Sequence, residues 1–345
     1  MQAYVLHGIK DLRLEKRPKS QLGPSEVLVD VKRVGICGSD IHYYLHYKIG
    51  EFVPQKPLVL GHEFSGDVVD VGSQVTKMSI GDRITAEPSI ECRHCRYCRM
   101  GRYNLCENLK FIGTAATVPH IDGAFGEQIV VPESHCYRLD DRLGYGAGAL
   151  AEPLAVGAHA VMRAGSLAGR RILISGGGTI GQMVLAMARI MGGIDVVVAD
   201  VDPHARKFSI ERGAVGAFDP RDESKAEQQK VHGFDVVFEA SGSPQALSFG
   251  YTAAARGARI VQIGTQPPET SLNNNLVMSK ELTVLGSFRY AHVFPMVVEL
   301  MATGRIDTDN LISVVYPFER MQEAMDRASA KQGIVKVQVG REDVR

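Results

Sequence analysis

The feature that most constrains the fold is a change of rhythm at Gly169, after which short apolar strands alternate with helical stretches. RRILIS is followed by TIGQMVLAMARIMG, IDVVVAD by PHARKFSIERG, and FDVVFEAS by PQALSFGYTAAARG, before ARIVQIG and LTVLGS. Strand-helix alternation of this kind predicts a parallel, doubly wound sheet connected by right-handed crossovers. The turn after the first strand contains Gly176, Gly178 and Gly181, a G-x-G-x-x-G pattern that opens the helix beginning near Thr179. The first glycine permits the tight turn, the second lets backbone approach a pyrophosphate, and the third lets helix pack on strand. The helix N-terminus then turns free N–H groups and a positive dipole end toward the phosphates. The second strand ends in Asp200, nineteen residues past Gly181, where a carboxylate takes both ribose hydroxyls and repels a 2′-phosphate. NAD is therefore expected over NADP. Arg206 either softens that preference or is a solvated helix residue.

Residues 1 to about 145 have a different character, with short strands such as EVLVDVKRVGI, SGDVVDVG and QIVVPE broken by Gly, Pro and Asp. Their alternation predicts an irregular, barrel-like β domain. The polar stretch DPRDESKAEQQKVHG reads as surface only. A helix near VFPMVVELMATG and a strand at GIVKVQV exceed what the nucleotide sheet needs, so residues 288–345 are expected to return to the first domain. The expected domains are thus 1–147, 148–287 and this return segment, with a cleft between the two bodies. At 345 residues, 45% hydrophobic and 23% charged, the chain can bury two such cores. Basic and acidic residues balance at 39 each, which argues against nucleic acid or an anionic membrane as partner and for a small molecule. No window approaches the roughly 18 apolar residues of a membrane span, and a cytoplasmic protein is expected.

Four of the six cysteines, Cys92, Cys95, Cys98 and Cys106, fall within fifteen residues as C-x2-C-x2-C-x7-C. Neighbours this close cannot all form unstrained disulfides, whereas four thiolates close a tetrahedral shell around zinc and leave no position for substrate. A structural zinc lobe at about 90–110 follows. Arg93, Arg96, Arg99 and Arg102 read as its solvated face, and His94 lies outside a shell that four thiols already fill.

A second group of residues is scattered: C-G-S-D-I-H at 37–42, G-H-E at 61–63 and A-E-P at 151–153. Together with the four-cysteine lobe and the nucleotide fold, the chain resembles the zinc-containing medium-chain alcohol and polyol dehydrogenases over essentially its whole length. That resemblance implies a GroES-like, partly barrel-like catalytic domain joined to a Rossmann domain, two zinc ions per chain, and NAD. It implies Cys37 and His62 as ligands of a catalytic zinc, with Glu63 able to bind it too. Glu152 stands where the alcohol-dehydrogenase branch has a cysteine, binding the metal directly or through water. Asp40 resembles the carboxylate that orients the zinc-bound histidine, and Ser39 and His42 resemble a proton relay. Thr179, Ile180 and Gly264 join the cofactor residues already named. Tyr43 and Arg289, the latter in GSFRY, resemble substrate contacts of the polyol branch.

Within that branch the stretches 37–52, 111–126 and 286–290 are closest to members acting on a sugar acid, L-idonate at C5. Arg289 and His120 are the candidates to receive its carboxylate, the loop 113–123 being either part of that site or plain surface. Sorbitol, xylitol and threonine dehydrogenases are the alternatives within the class. A zinc-stabilised nucleotide-binding protein without turnover has no need of Cys37, Ser39, His62 and Asp200 together. The resemblance also implies a homo-oligomer, a tetramer or a dimer.

Overall fold

Apolar residues alternate along Glu26–Gly35, so Val27, Val29, Val31 and Val34 enter the core from one strand long enough to take partners on both edges. One edge pairs antiparallel with Glu63–Val71. The other is shared: the beginning of the strand pairs with Gln128–Pro132 and its end with Lys336–Gly340. In this computed structural model, which describes residues 1–18 and 20–341, that strand organises a seven-stranded sheet. Its order is Cys136–Arg138, Arg83–Ala86, Glu63–Val71, Glu26–Gly35, Lys336–Gly340 and Ile312–Pro317, with Gln128–Pro132 joined to Glu26–Gly35 off that path. The unit it belongs to comprises Met1–Glu152, Phe294–Lys331 and the chain from Lys336 onward.

The second unit, Pro153–Val293 with Gln332–Val335, contains a six-stranded sheet that is parallel throughout. Its spatial order is Gly216–Phe218, Asp195–Ala199, Arg171–Ser175, Phe234–Glu239, Ala254–Gln262 and Thr283–Gly286. Counted along the chain this is 3-2-1-4-5-6, the dinucleotide-binding order, whose switch point lies between Arg171–Ser175 and Phe234–Glu239. Val196 to Ala199 and Ile172 to Ser175 are buried, as strands covered on both faces require. The fold is thus α/β, a GroES-like β unit and a Rossmann unit.

The stretch 219–233 lies largely at the surface, as expected, and carries a helix. Glu223–Lys230 is a helix although only Ala226 is buried; Asp222 caps it through the Lys225 N–H, and Lys230 pairs with Glu227. The three-residue strand Gly216–Phe218 before it was too short to show a period. Similarly, the helix expected over PQALSFGYTAAARG stops at Ala253, because Ala254 turns extended and starts the next strand. No helix among the described residues is long and apolar enough to cross a membrane.

Candidate active site

Cys37 sits at the N-cap of helix Gly38–His46, where its backbone N–H donates to Asp40 Oδ2 at 2.8 Å. Asp40 is fully buried; its Oδ1 accepts from the Gly61 N–H at 3.2 Å and lies 3.8 Å from His62 Nδ1. One carboxylate therefore ties the Cys37 segment to the Gly61-His62-Glu63 segment. Glu63 begins its strand in register with Gly35, and ligand atoms of Cys37, His62 and Glu63 all lie within 4.8 Å of one another.

Burial, then the charge of Glu63, holds the Cys37 thiol far above its ordinary range; Lys336 pulls it down, while Asp40 and Glu152 push it further up. Asp40 is pushed up as well, by burial first and against the pull of His62. Three buried carboxyls, Asp40, Glu63 and Glu152, thus share one neighbourhood with the half-buried Cys37 thiol, with His62 and Lys336 as basic neighbours. An excess of buried negative charge is costly unless a cation resides there. A thiolate, an imidazole and a carboxylate are the donor types that zinc accepts, so this set fits the metal. Glu152, in the first turn of Ala151–Ala164, is buried and adds to this field, but it lies outside the set whose ligand atoms share the 4.8 Å distance.

Lys336 is the residue the sequence reading did not single out. It is 2% exposed, and its ammonium donates to both oxygens of Glu63, at 2.8 and 2.7 Å, and to the Ile36 carbonyl at 3.0 Å. The available signal was a lysine inside the otherwise apolar run GIVKVQV.

Ser39 and His42 lie three residues apart on the same helix, one turn of a shared face. The Ser39 hydroxyl is buried without a hydrogen-bond partner, as a group awaiting substrate would be. Partial burial, then the charges of Lys331 and His46, keeps the His42 pKa below its usual value, favouring the neutral imidazole that accepts a proton. Tyr43 is buried, and its hydroxyl accepts from the Ala115 N–H at 3.1 Å, which fixes the loop 113–123. His120 is a correction. Its Nε2 accepts from the Gln55 N–H at 2.8 Å and its Nδ1 faces the Thr117 carbonyl at 2.6 Å, so both ring nitrogens hold the loop and neither is available to a carboxylate. Arg289 belongs to the second unit, at positive φ, with its guanidinium 4.7 Å from the Phe288 ring centre.

Ligand atoms of Cys92, Cys95, Cys98 and Cys106 also gather within 4.8 Å. The paired strands Ser89–Ile90 and Lys110–Phe111 close the base of the lobe, and Leu109 and Phe111 pack against its sulfurs. Backbone N–H groups point at sulfur, Cys92 to Cys106 Sγ at 3.3 Å and Cys95 to Cys92 Sγ at 3.4 Å, an arrangement suited to thiolates on a metal. His94 is exposed and turned to the Cys92 carbonyl, outside the set.

In the second unit, Gly176 adopts φ +97°, open to glycine, and a side chain on Gly181 would run into the Gly176 carbonyl. Gly178 caps helix Thr179–Ile190 with no side chain bound to the first-turn N–H groups, which stay available to a phosphate. The Thr179 hydroxyl donates to the Val335 carbonyl, and Ile180 is partly exposed beside it. Asp200 directly follows the second strand, with Oδ2 on the Gly177 N–H at 2.6 Å and Oδ1 on the Asp202 N–H at 2.7 Å. Arg206 is not a freely solvated side chain: it donates to the Asp200 carbonyl at 2.7 Å and faces Asp219. Across the switch point, fully buried Glu239 accepts from Ser241 and Gly242 N–H groups and from Gln266, ordering the loops beside Gly264, where a Cβ would meet its carboxylate. Glu239 also went unnoticed in the sequence, its only signal being an acid at the end of the apolar strand FDVVFEAS.

The alcohol dehydrogenase GroES-like domain model matches residues 23–141, and the zinc-binding dehydrogenase model matches 179–303. Sorbitol dehydrogenase of Bacillus subtilis is 36% identical over 333 residues, covering 95% of this chain and 93% of that protein. D-xylulose reductase A of Aspergillus oryzae is 37% identical over 342 residues, 96% of this chain and 94% of that protein. Among solved structures, L-idonate 5-dehydrogenase from Escherichia coli superposes with a TM-score of 0.93 at 33% identity, covering 98% of this chain and 97% of that one. With both halves of the fold matched and relatives aligned over nearly all of its length, the chain belongs to the zinc-binding alcohol and polyol dehydrogenases, oxidoreductases that use zinc and NAD to act on CH–OH groups.

Proposed function

We propose that this dehydrogenase oxidises a sugar acid, L-idonate at C5, to 5-keto-D-gluconate, and that it works as a cytoplasmic homo-oligomer, a tetramer or a dimer. The observation that carries the substrate reading is the full-length likeness to L-idonate 5-dehydrogenase, TM-score 0.93. In this reading Cys37, His62 and Glu63 hold the catalytic zinc, Glu152 supplies further negative charge, and Cys92, Cys95, Cys98 and Cys106 hold the structural ion. When bound, zinc supplies Lewis acidity that lowers a hydroxyl pKa, and NAD supplies the hydride acceptor. Ser39 accepts the hydroxyl proton and passes it toward His42, whose lowered pKa keeps a lone pair ready. Gly176, Gly178 and Gly181 shape the pyrophosphate turn, Thr179, Ile180 and Gly264 line it, and Asp200, braced by Arg206, meets the adenosine ribose.

With His120 committed to its own loop, Arg289 remains the candidate for the C1 carboxylate, since its planar fork binds a carboxylate through two hydrogen bonds. An uncharged polyol offers that fork no carboxylate. L-Idonate should then exceed sorbitol by roughly 5- to 150-fold in kcat/KM, the worth of about 1–3 kcal/mol for the hydrogen bonding that a carboxylate adds. NADH formation against L-idonate, sorbitol, xylitol and threonine tests this, with Arg289→Leu expected to harm idonate more than sorbitol. The second reading, a sorbitol- or xylitol-type enzyme, has the support of the two relatives 36 and 37% identical; faster oxidation of sorbitol by the parent enzyme would establish it instead.

A further inference from the structure

Beside Asp200 the second unit holds two guanidiniums that converge on a single carboxylate. Arg206 Nη1 donates to the Asp200 carbonyl at 2.7 Å and lies 3.4 Å from Asp219 Oδ2. Arg221 takes the same Asp219 with its whole fork, Nε to Oδ1 at 2.9 Å and Nη2 to Oδ2 at 2.7 Å. Its backbone N–H adds a third bond to Oδ1 at 3.0 Å, and Nη2 also donates to the Val201 carbonyl at 3.1 Å. The parallel strands bring these groups together: the Asp200 N–H donates to the Phe218 carbonyl at 3.1 Å, so Asp219 emerges beside Asp200 and Val201. Asp200 itself has both oxygens on backbone N–H groups and is held in place by the turn it faces.

An arginine fork matches a phosphate as well as it matches a carboxylate. Two such groups stand next to the carboxylate assigned to the adenosine ribose, yet Arg221 closes its fork on Asp219 and Arg206 reaches the same carboxylate through Nη1, and Arg221 holds the Asp219 pKa well below the usual carboxylate range. We propose that Asp219 is a second determinant of coenzyme choice, keeping Arg206 and Arg221 occupied so that neither receives the 2′-phosphate of NADP. The proposal rests on the reading of Asp200 as the ribose carboxylate. It divides the rejection of NADP into two parts, repulsion by Asp200 and withdrawal of the nearby cations by Asp219. Removing Asp200 alone lifts the repulsion while the arginines stay engaged. Removing Asp219 alone frees them beside a carboxylate that still repels phosphate. Only together do the changes create a phosphate site, so their effects should exceed the sum of the single ones.

The test is calorimetric titration of the zinc-loaded enzyme with adenosine 5′-monophosphate and with adenosine 2′,5′-bisphosphate, ligands that differ only by the phosphate in question. The parent, Asp200→Ser, Asp219→Asn and the double variant are compared by the ratio of the two affinities. Asp200→Ser should move that ratio toward the bisphosphate by roughly 5- to 150-fold, and adding Asp219→Asn should move it about 10-fold further, the scale of one charge-assisted hydrogen bond. Asp219→Asn alone should move it less than about threefold, well under one such bond. The extra gain should shrink as salt rises, and Arg221→Leu should remove it from the double variant, responses that a purely structural role for Asp219 does not produce. If Asp219→Asn does not fold, Asp219→Thr keeps a short acceptor for the Arg221 N–H and takes its place. An unchanged ratio in Asp200→Ser would overturn the ribose reading and the proposal with it. A shift in Asp200→Ser with nothing added by the Asp219 change would leave the ribose reading standing and overturn the proposal alone.

Discussion

Glu87 carries a carboxyl that is 3% exposed, with Oε1 unpartnered and Oε2 only 3.4 Å from the Tyr103 hydroxyl. Burial pushes its pKa from 4.5 to about 8, Tyr103 pulling it down and Glu91 adding to the rise. Between those values the folded protein keeps a proton that the unfolded chain releases. Stability should therefore fall as pH rises through that window, by at most about 1.4 kcal/mol per unit. Glu87→Gln keeps the shape and removes the slope, so denaturant midpoints with excess zinc should match the parent near pH 4.5 and exceed it at pH 8. Parallel curves would refute the burial argument.

Lys336 makes the opposite kind of contribution at this scale, as the resident cation on Glu63. Lys336→Met should cost about 3 kcal/mol in metal-stripped protein, because a buried carboxylate loses its partner. Urea titration of the stripped protein measures it, and a loss under about 0.5 kcal/mol, the size of an ordinary surface substitution, would mean Glu63 is paired by something else. The pattern of Cys37, His62 and Glu63 was legible because short turns hold each ligand in a recognisable fragment. Their dependence on Lys336 was not, since 273 residues separate it from Glu63 and only sheet register makes them neighbours.

At the scale of elements, local chemistry decided what could be read. The glycine turn and the cysteine lobe are each one contiguous segment whose spacing states its geometry. Helix Glu223–Lys230 escaped because its pattern is polar all round and its support is a capping Asp222 and short-range ion pairs rather than an apolar face. His120 was misread for a related reason: a buried loop histidine bonded to backbone at both nitrogens looks, in sequence, like any histidine near a site. The lobe leads to a prediction about metal removal. Four sulfurs around one ion should retain it better than the mixed set at Cys37, His62 and Glu63, where carboxylate is the more labile donor. Mild chelation should abolish activity while about one zinc per chain remains, and Cys95→Ser should lower the melting temperature, as structural zinc contributes folding free energy. Full activity with a single ion per chain would refute the two-site reading.

For the molecule as a whole, both metal sets belong to the first unit and the dinucleotide turn to the second. The alternation after Gly169 announced the second unit. The first could be anticipated only in outline, because its seven-stranded sheet draws strands from both ends of the chain. This division predicts how ligands should distribute protection in amide hydrogen exchange. NAD at 100 times its dissociation constant stabilises what it binds by about 2.7 kcal/mol. Amides in Arg171–Ser175 and Phe234–Glu239 should therefore slow by up to about 100-fold where exchange requires opening of that unit. Those in Glu26–Gly35 and Glu63–Val71 should respond little to NAD and accelerate instead when zinc is removed, because their ends carry the metal set and its buried acids. Selective protection of one sheet by each ligand would show that the units open independently. Equal slowing of both sheets by NAD would overturn the prediction and mean that the chain unfolds as a single cooperative block, with every substitution described above acting on one shared stability.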